Sequence, residues 1–350
     1  MPFRFKQHSV LPGFGITIGF TLTYLSLIIL FPLAMLVMYA ASMNFSDFWK
    51  VVSSPRVIAA FKLSFGASII AASINAVFGF IAAWSLVRYR FPGRRFVDAM
   101  IDIPFAMPTA VSGIALATIC SQNGWVGAWF QPLGIEIANT QIGITVALIF
   151  IGLPFVVRTL QPALEDLDKE VEEVAESLGA TKGQIFWKII FPSVFPALAT
   201  GFTLALARAL GEYGSLVFIS SNRILETETV PWLIVTFLDR DNTPDAAIAV
   251  AVVMLFASFT LMFCINMIQW YARRRTTGEM NFEWFYSGKF LGIRTLLVVL
   301  LSLVLVGGGL FATFSERLGS SYLLTWYSIT GCLILLWGYY YAVYFCYKNE

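Results

Sequence analysis

Few side chains in this 350-residue chain are placed where they could do chemistry, and those few are charges, not nucleophiles. Arg208 and Glu212 stand four residues apart at the end of an apolar run, a spacing that puts both on one helix face and lets them partly neutralise each other. The other use of that arginine is to face a pathway and attract an anion. Seven acidic residues, Glu165, Asp166, Asp168, Glu170, Glu172, Glu173 and Glu176, crowd one interior segment, and Asp102 opens another apolar run. The single histidine is His8, near the N-terminus. No HExxH pair, His/Cys zinc cluster or Ser–His–Asp triad can therefore form in the apolar part, which removes most membrane hydrolases. No G-x-x-x-x-G-K-[ST] sequence occurs, so the chain cannot bind ATP by the P-loop route. Cys120, Cys264, Cys332 and Cys346 lie in apolar runs without a pairing pattern and read as small packing residues.

The elements that must hold these charges are membrane spans. Hydrophobic residues make up 58% of the chain and charged residues 13%, about half the share of a soluble domain. Residues 9–46, 63–87, 103–135, 137–157, 189–207, 246–272, 295–314 and 318–347 contain no Asp, Glu, Lys or Arg. A helix needs roughly 20 apolar residues to cross about 30 Å of hydrocarbon, so eight spans are expected. No segment shows the alternation of a β-barrel strand. The first run is longer than a signal-peptide core and reads as a retained span. If both termini lie inside, most of the 23 lysines and arginines fall on inner segments, above all in 88–98 and 273–294. The positive-inside rule then sets both ends in the cytoplasm.

Within the spans, 63–87 is rich in Gly, Ala and Ser, which lets helices approach closely in lipid. The run from 103 carries Pro104 and Pro108, followed by Thr109 and Ser112. Each proline removes an amide donor, so this helix is expected to kink or unwind, either as a packing feature or because it lines the path. A charge deep in a bilayer costs about 2.5–3.5 kcal/mol on insertion scales, which favours pairing of Arg208 with Glu212. Asn75 and Asn266 are lone mid-span amides, expected to make helix–helix hydrogen bonds. The candidate pathway residues are Pro104, Pro108, Thr109, Ser112, Arg208 and Glu212.

Between spans four and five, residues 158–188 are polar. Leu164, Leu167, Val171, Val174 and Leu178 recur there at helical spacing, which predicts one amphipathic helix. Gly179 is expected to end it, and Thr181 with Gln184 to form a capping box for the next helix.

Glu173-Val174-Ala175, Gly179 and Ile189-Ile190-Phe191-Pro192 resemble the EAA loop of ABC-importer permeases. That pattern runs E-A-A, three residues, G, nine residues, I, one residue, L-P. Glu173, Ala175, Gly179, Ile189 and Pro192 fall in register, with Val174 and Phe191 as apolar substitutions. Asn123-Gly124-Trp125, the stretch from Gly143-Ile144 through Leu153-Pro154-Phe155-Val156-Val157-Arg158-Thr159, the stretch Ala207–Ser215 and the stretch 247–255 look like the T-type permease of sulfate/thiosulfate importers. The resemblance covers residues 10–275.

It implies an all-α, polytopic transmembrane bundle with a type I ABC-importer permease core of six spans. The chain would divide into a tail at 1–13, a permease domain at 14–275 with its ATPase-coupling loop at 158–192, and a two-span C-terminal extension at 276–350. The coupling residues would be Glu173, Val174, Ala175, Leu178, Gly179, Ile189 and Pro192. Implied partners are a cytoplasmic ATPase dimer that binds the ATP, a second permease (a paralogous W-type subunit or an identical copy), an extracytoplasmic sulfate-binding protein and the lipid bilayer. No cofactor of its own, no enzyme activity and no nucleic acid are implied. The place would be a bacterial inner membrane.

T-type permeases usually end soon after the basic cluster Arg273-Arg274-Arg275, whereas this chain continues with spans at 295–314 and 322–347. Molybdate and tungstate permeases share the Gly-Glu-aromatic-Gly ending of span five, so that piece alone does not choose the anion. An ion-coupled secondary transporter would instead need broken helices or paired acids repeated in two halves, and Asp102 has no counterpart.

Overall fold

The structure, a computed structural model, describes residues 14–277. Every regular element among them is helical. In chain order these are α1 (Phe14–Leu25), a π turn (Ser26–Leu30), α2 (Phe31–Ser42), α3 (Phe45–Val52), α4 (Pro55–Arg88), α5 (Arg94–Ile101), α6 (Ile103–Ala106), α7 (Thr109–Cys120) and α8 (Gly127–Phe130). There follow α9 (Gln141–Glu165), α10 (Lys169–Ser177), α11 (Lys182–Ile185), a second π turn (Phe186–Ile190), α12 (Phe191–Leu210), α13 (Gly214–Ile219), α14 (Val230–Asp239) and α15 (Pro244–Thr277). Among the described residues, 45–277 form one compact unit, and 14–44 belong to another.

Among the described residues, five helices are long and apolar enough to cross a membrane: Gly19–Ser42, Pro55–Arg88, Gln141–Glu165, Lys182–Leu210 and Pro244–Met267. The expected spans at 295–314 and 322–347 lie outside the described residues, as do His8, Cys332 and Cys346. The expected span over 103–135 is not a single helix. Its longest piece, Thr109–Cys120, has 12 residues and rises about 18 Å. The chain breaks at Met107 and Pro108, both extended at ψ 137° and 136°. The ring of Pro108 disfavours helical geometry at Met107. The run at 137–157 extends further than expected, to Glu165, carrying Pro154 and Pro162 inside α9.

Three helices build the centre of the unit. α4, α9 and α12 pack through Leu86, Val156, Val157, Leu160, Leu164, Val194, Leu206 and Leu210, all buried. Small residues permit that closeness. A Cβ on Gly79 of α4 would lie 2.8 Å from Val156 Cγ1, and one on Gly201 of α12 would lie 2.9 Å from Val156 Cα. Helices in lipid gain contact by such approach, having no hydrophobic drive to associate.

Asn75 does not make its expected hydrogen bond. Its amide is fully buried against Gly152, and neither polar atom has a partner among the described residues. Asn266 is exposed. Cys120 is buried and Cys264 exposed, neither in a disulfide.

Candidate functional site

The expected functional residues fall into two groups on different parts of the unit. The first is the segment from Arg158 to Pro192. α9 ends at Glu165, and α10 begins afresh because the Asp168 carboxylate accepts from the Glu170 amide at 3.0 Å. That cap divides the expected amphipathic helix in two. Leu164 stays in the core and Leu167 packs on it. The outward apolar face is therefore shorter than predicted: Val171, Val174 and Leu178, with Leu178 82% exposed. Glu173 is exposed and Ala175 half-buried.

Gly179 closes the helix at φ +84°. Its amide donates to Glu176 O (2.9 Å) and the Ala180 amide to Ala175 O (3.0 Å), the paired bonds of a Schellman end. Thr181 and Gln184 then form the expected capping box at the start of α11. Ile189 and Pro192 are half-buried. The π turn Phe186–Ile190 comes just before Pro192, which has no amide to continue an ordinary ladder.

Three charge clusters around this framework escaped the sequence reading. Arg158 on α9 holds Asp102 through two nitrogens (2.8 and 2.5 Å), Asp98 Oδ1 (2.6 Å), the Asp98 carbonyl (3.0 Å) and Gln161 Oε1 (2.5 Å). The hydrogen bond from Arg158 holds the Asp98 carboxyl below its ordinary value. The cluster ties α9 to the entry of the broken α5–α6–α7 run. Arg88, at the end of α4, pairs with Glu172 on α10. At the far end of α4, Arg56 pairs with buried Glu228 (2.7 Å) and with Asp241 (3.1 Å). The one available signal was that Asp102 and Arg158 bound apolar runs on the same expected side.

The second group is the junction of two broken helices. α12 stops at Leu210, and the chain turns through Gly211, Glu212 and Tyr213 before α13. α7 packs directly on α13. A Cβ on Gly113 would lie 2.4 Å from the Ser215 carbonyl oxygen, and one on Gly214 would lie 2.2 Å from Thr109 Oγ1. Thr109 and Ser112 are thereby brought beside the Glu212 turn. Ser112 is buried and donates to the Pro108 carbonyl at 3.3 Å. Pro104, half-buried, precedes the junction by one turn, and Pro108 stands exposed at the break.

Glu212 is 1% exposed, yet its carboxylate is fully used. One oxygen accepts from the Ser215 amide (2.9 Å) and hydroxyl (3.0 Å), and the other meets Arg208 at 2.5 Å. The ion pair expected from the i,i+4 spacing is therefore present. The Arg208 side chain remains one-third exposed, so its charge is only partly committed to that pair.

At the end of α9 opposite α10, residues 121–139 border an open hollow of about 470 Å³ lined by Gln122, Asn123, Gln131, Glu136 and Asn139. Gln122 donates to Glu136 at 2.6 Å across it. Trp125 and Trp129 beside it are almost fully exposed. Among the described residues, no three His, Cys, Asp or Glu side chains gather as a metal site.

The family described as binding-protein-dependent transport system inner membrane component matches residues 75–278. The sulfate transport system permease protein CysT of Escherichia coli (strain K12) is 45% identical over 277 residues, 79% of this chain and 100% of that protein. The protein of the same name from Synechocystis is 45% identical over 254 residues, 73% of this chain and 88% of that one. A solved bacterial ABC transporter involved in the import of the acidic polysaccharide alginate superposes with a TM-score of 0.62 at 16% identity. That match covers 73% of this chain and 94% of the other, a likeness of fold.

Proposed function

This chain belongs to the inner-membrane component family of binding-protein-dependent transport systems, and from that premise we propose that it is the membrane-spanning permease subunit of an ATP-driven sulfate importer. The observation that carries the anion is the 45% identity to a sulfate permease over that protein's whole length. Thiosulfate, a tetrahedral dianion of similar size, is a second cargo of the same pathway.

The geometry supports a division of labour. Val171 and Val174 on α10, with Leu178 at its end, form an apolar face left uncovered by the described residues. It docks in a cleft of a cytoplasmic ATPase subunit, with Glu173 at the rim. The Gly179 turn and the Thr181 cap hold the docking helix at a set angle to α12. Closure of the ATPase dimer on ATP then pushes α9 and α12 together. Arg158 hands that displacement to the entry of α6, and the break at Met107–Pro108 lets α7 move relative to α6.

At the junction, Arg208 offers partial positive charge to a passing oxyanion while Glu212 limits its strength. That balance suits a pathway, since a transporter must also release its cargo. The ends of the chain lie in the cytoplasm, and the hollow lined by Gln122, Glu136 and Asn139 faces the sulfate-binding protein outside. A second permease, a paralogous W-type subunit or an identical copy, completes the path.

The test is uptake of radiolabelled sulfate into proteoliposomes holding the permeases and ATPase, with binding protein outside the membrane facing it. Sulfate accumulation that unlabelled thiosulfate suppresses, and equimolar molybdate or tungstate does not, is the expected result. Accumulation suppressed more strongly by molybdate or tungstate than by sulfate itself contradicts the assignment.

A further inference from the structure

α10 is held to the rest of the unit by very little. None of its described side chains from 170 to 177 is buried, and Val171 and Val174 are each at least half exposed. Among the described residues, it makes one ion pair to another element, Glu172 with Arg88, 84 positions away in sequence. Glu172 and the apolar residues project from different sides of α10, because Val171, Val174 and Leu178 follow the helical repeat and Glu172 does not.

Arg88 is built to hold that position. Its side chain is 11% exposed, its guanidinium lies 5.2 Å from the centre of the Trp84 ring, and its Nε is enclosed without a hydrogen-bond partner among the described residues. A guanidinium stacked on an aromatic face loses water and rotational freedom, so its remaining donors point in a set direction. Trp84 in turn meets Phe186 edge-on at 5.9 Å, and Phe80 meets Phe186 at 6.0 Å and Phe191 at 6.4 Å. The last turns of α4 therefore grip both arms of the 158–192 segment: α10 through a charge, and the π turn through aromatic rings.

We propose that Arg88 is a positioning residue for coupling: its pair with Glu172 sets the rotation of α10 that turns Val171, Val174 and Leu178 outward, and makes α4 move with that helix. The proposal rests on α10 being the ATPase-docking helix. It adds α4 to the helices that receive the stroke. α4 is 34 residues long and carries the Arg56–Glu228 pair at its other end, so a displacement received at Arg88 reaches the opposite face of the bundle.

The experiment compares four variants in the reconstituted complex with its ATPase and binding protein: Arg88→Gln, Glu172→Gln, the exchanged pair Arg88→Glu with Glu172→Arg, and Leu178→Glu. Sulfate transported per ATP hydrolysed and co-purification of the ATPase are both read. The two single glutamine changes are expected to keep the ATPase bound and to lower the transport-to-hydrolysis ratio by about five-fold or more, the usual scale of a coupling free energy. The exchanged pair is expected to recover most of that loss, and a lowered ratio with the ATPase still bound is what separates a coupling role from a folding one. Glu172→Gln alters a partly exposed side chain, so it remains informative if Arg88→Gln reduces expression.

A parental ratio in Glu172→Gln, with co-purification lost in Leu178→Glu, overturns the role of Arg88 and leaves the docking reading standing. An exchanged pair no better than the single changes also overturns it. Retention of the ATPase and of full transport in Leu178→Glu sinks the docking reading, and this proposal with it.

Discussion

The α10 helix and the Glu212 turn are both short, charged and set beside a long apolar helix, yet they solve opposite problems. Glu212 is enclosed, and each carboxylate oxygen has a partner within its own chain. α10 is the reverse: its apolar residues face out, and one ion pair holds it inward. A buried charge left unpaired is costly enough that the protein must supply every partner itself. An exposed apolar stripe costs little until it finds a partner, and it marks where one is expected. The turn is thus finished within this chain, whereas the described residues leave the apolar residues of α10 uncovered.

That contrast predicts graded effects. Glu212→Ala should hurt stability most, because it removes the acceptor of the buried Ser215 amide and hydroxyl and the partner of Arg208. A loss of about 3 kcal/mol is expected, the scale for breaking a buried pair, and thermal unfolding in detergent measures it. Parental stability in this variant would remove the distinction between the two regions.

Gly179→Ala comes next. At φ +84° a Cβ meets no neighbouring atom within 4 Å, so crowding contributes nothing and strain alone remains. The expected cost is about 1 kcal/mol, together with weaker ATPase stimulation as the angle between α10 and α11 relaxes. A larger stability loss without any change in stimulation would mean that the turn serves the fold and not the docking.

Leu178→Glu should change stability least, by about 0.5 kcal/mol or less, as for an exposed site. It should nevertheless abolish co-purification of the ATPase. An effect on unfolding as large as that of Glu212→Ala would show that α10 is covered within this chain after all.

What could be read in advance follows the same division between local and distant. The Arg208–Glu212 pair, the Gly179 turn and the Thr181–Gln184 box each depend on residues at most five apart, and local helix and cap geometry brings those together. Arg158 with Asp98 and Asp102, and Arg88 with Glu172, join residues 56 to 84 positions apart. Their pairing depends on how α4, α5 and α9 pack, which no short-range pattern encodes.

The helix break was half-legible. Pro104 and Pro108 announced an interruption, but its position at Met107 follows from Pro108 restricting its predecessor, while Pro104 is tolerated in the first turn of α6. The amphipathic repeat from Leu164 to Leu178 misled for a related reason. Periodicity continued across Asp168, whereas the chain used that aspartate to start a new helix.

Anion conduction driven by an ATPase through α10 is the function proposed for this chain. Its most direct test is sulfate accumulation by the reconstituted complex, measured with ATP and with a non-hydrolysable analogue, each with and without a protonophore. Accumulation that requires hydrolysable ATP and is indifferent to the protonophore is the expected result. Accumulation that persists without hydrolysis and collapses with the proton gradient would contradict it.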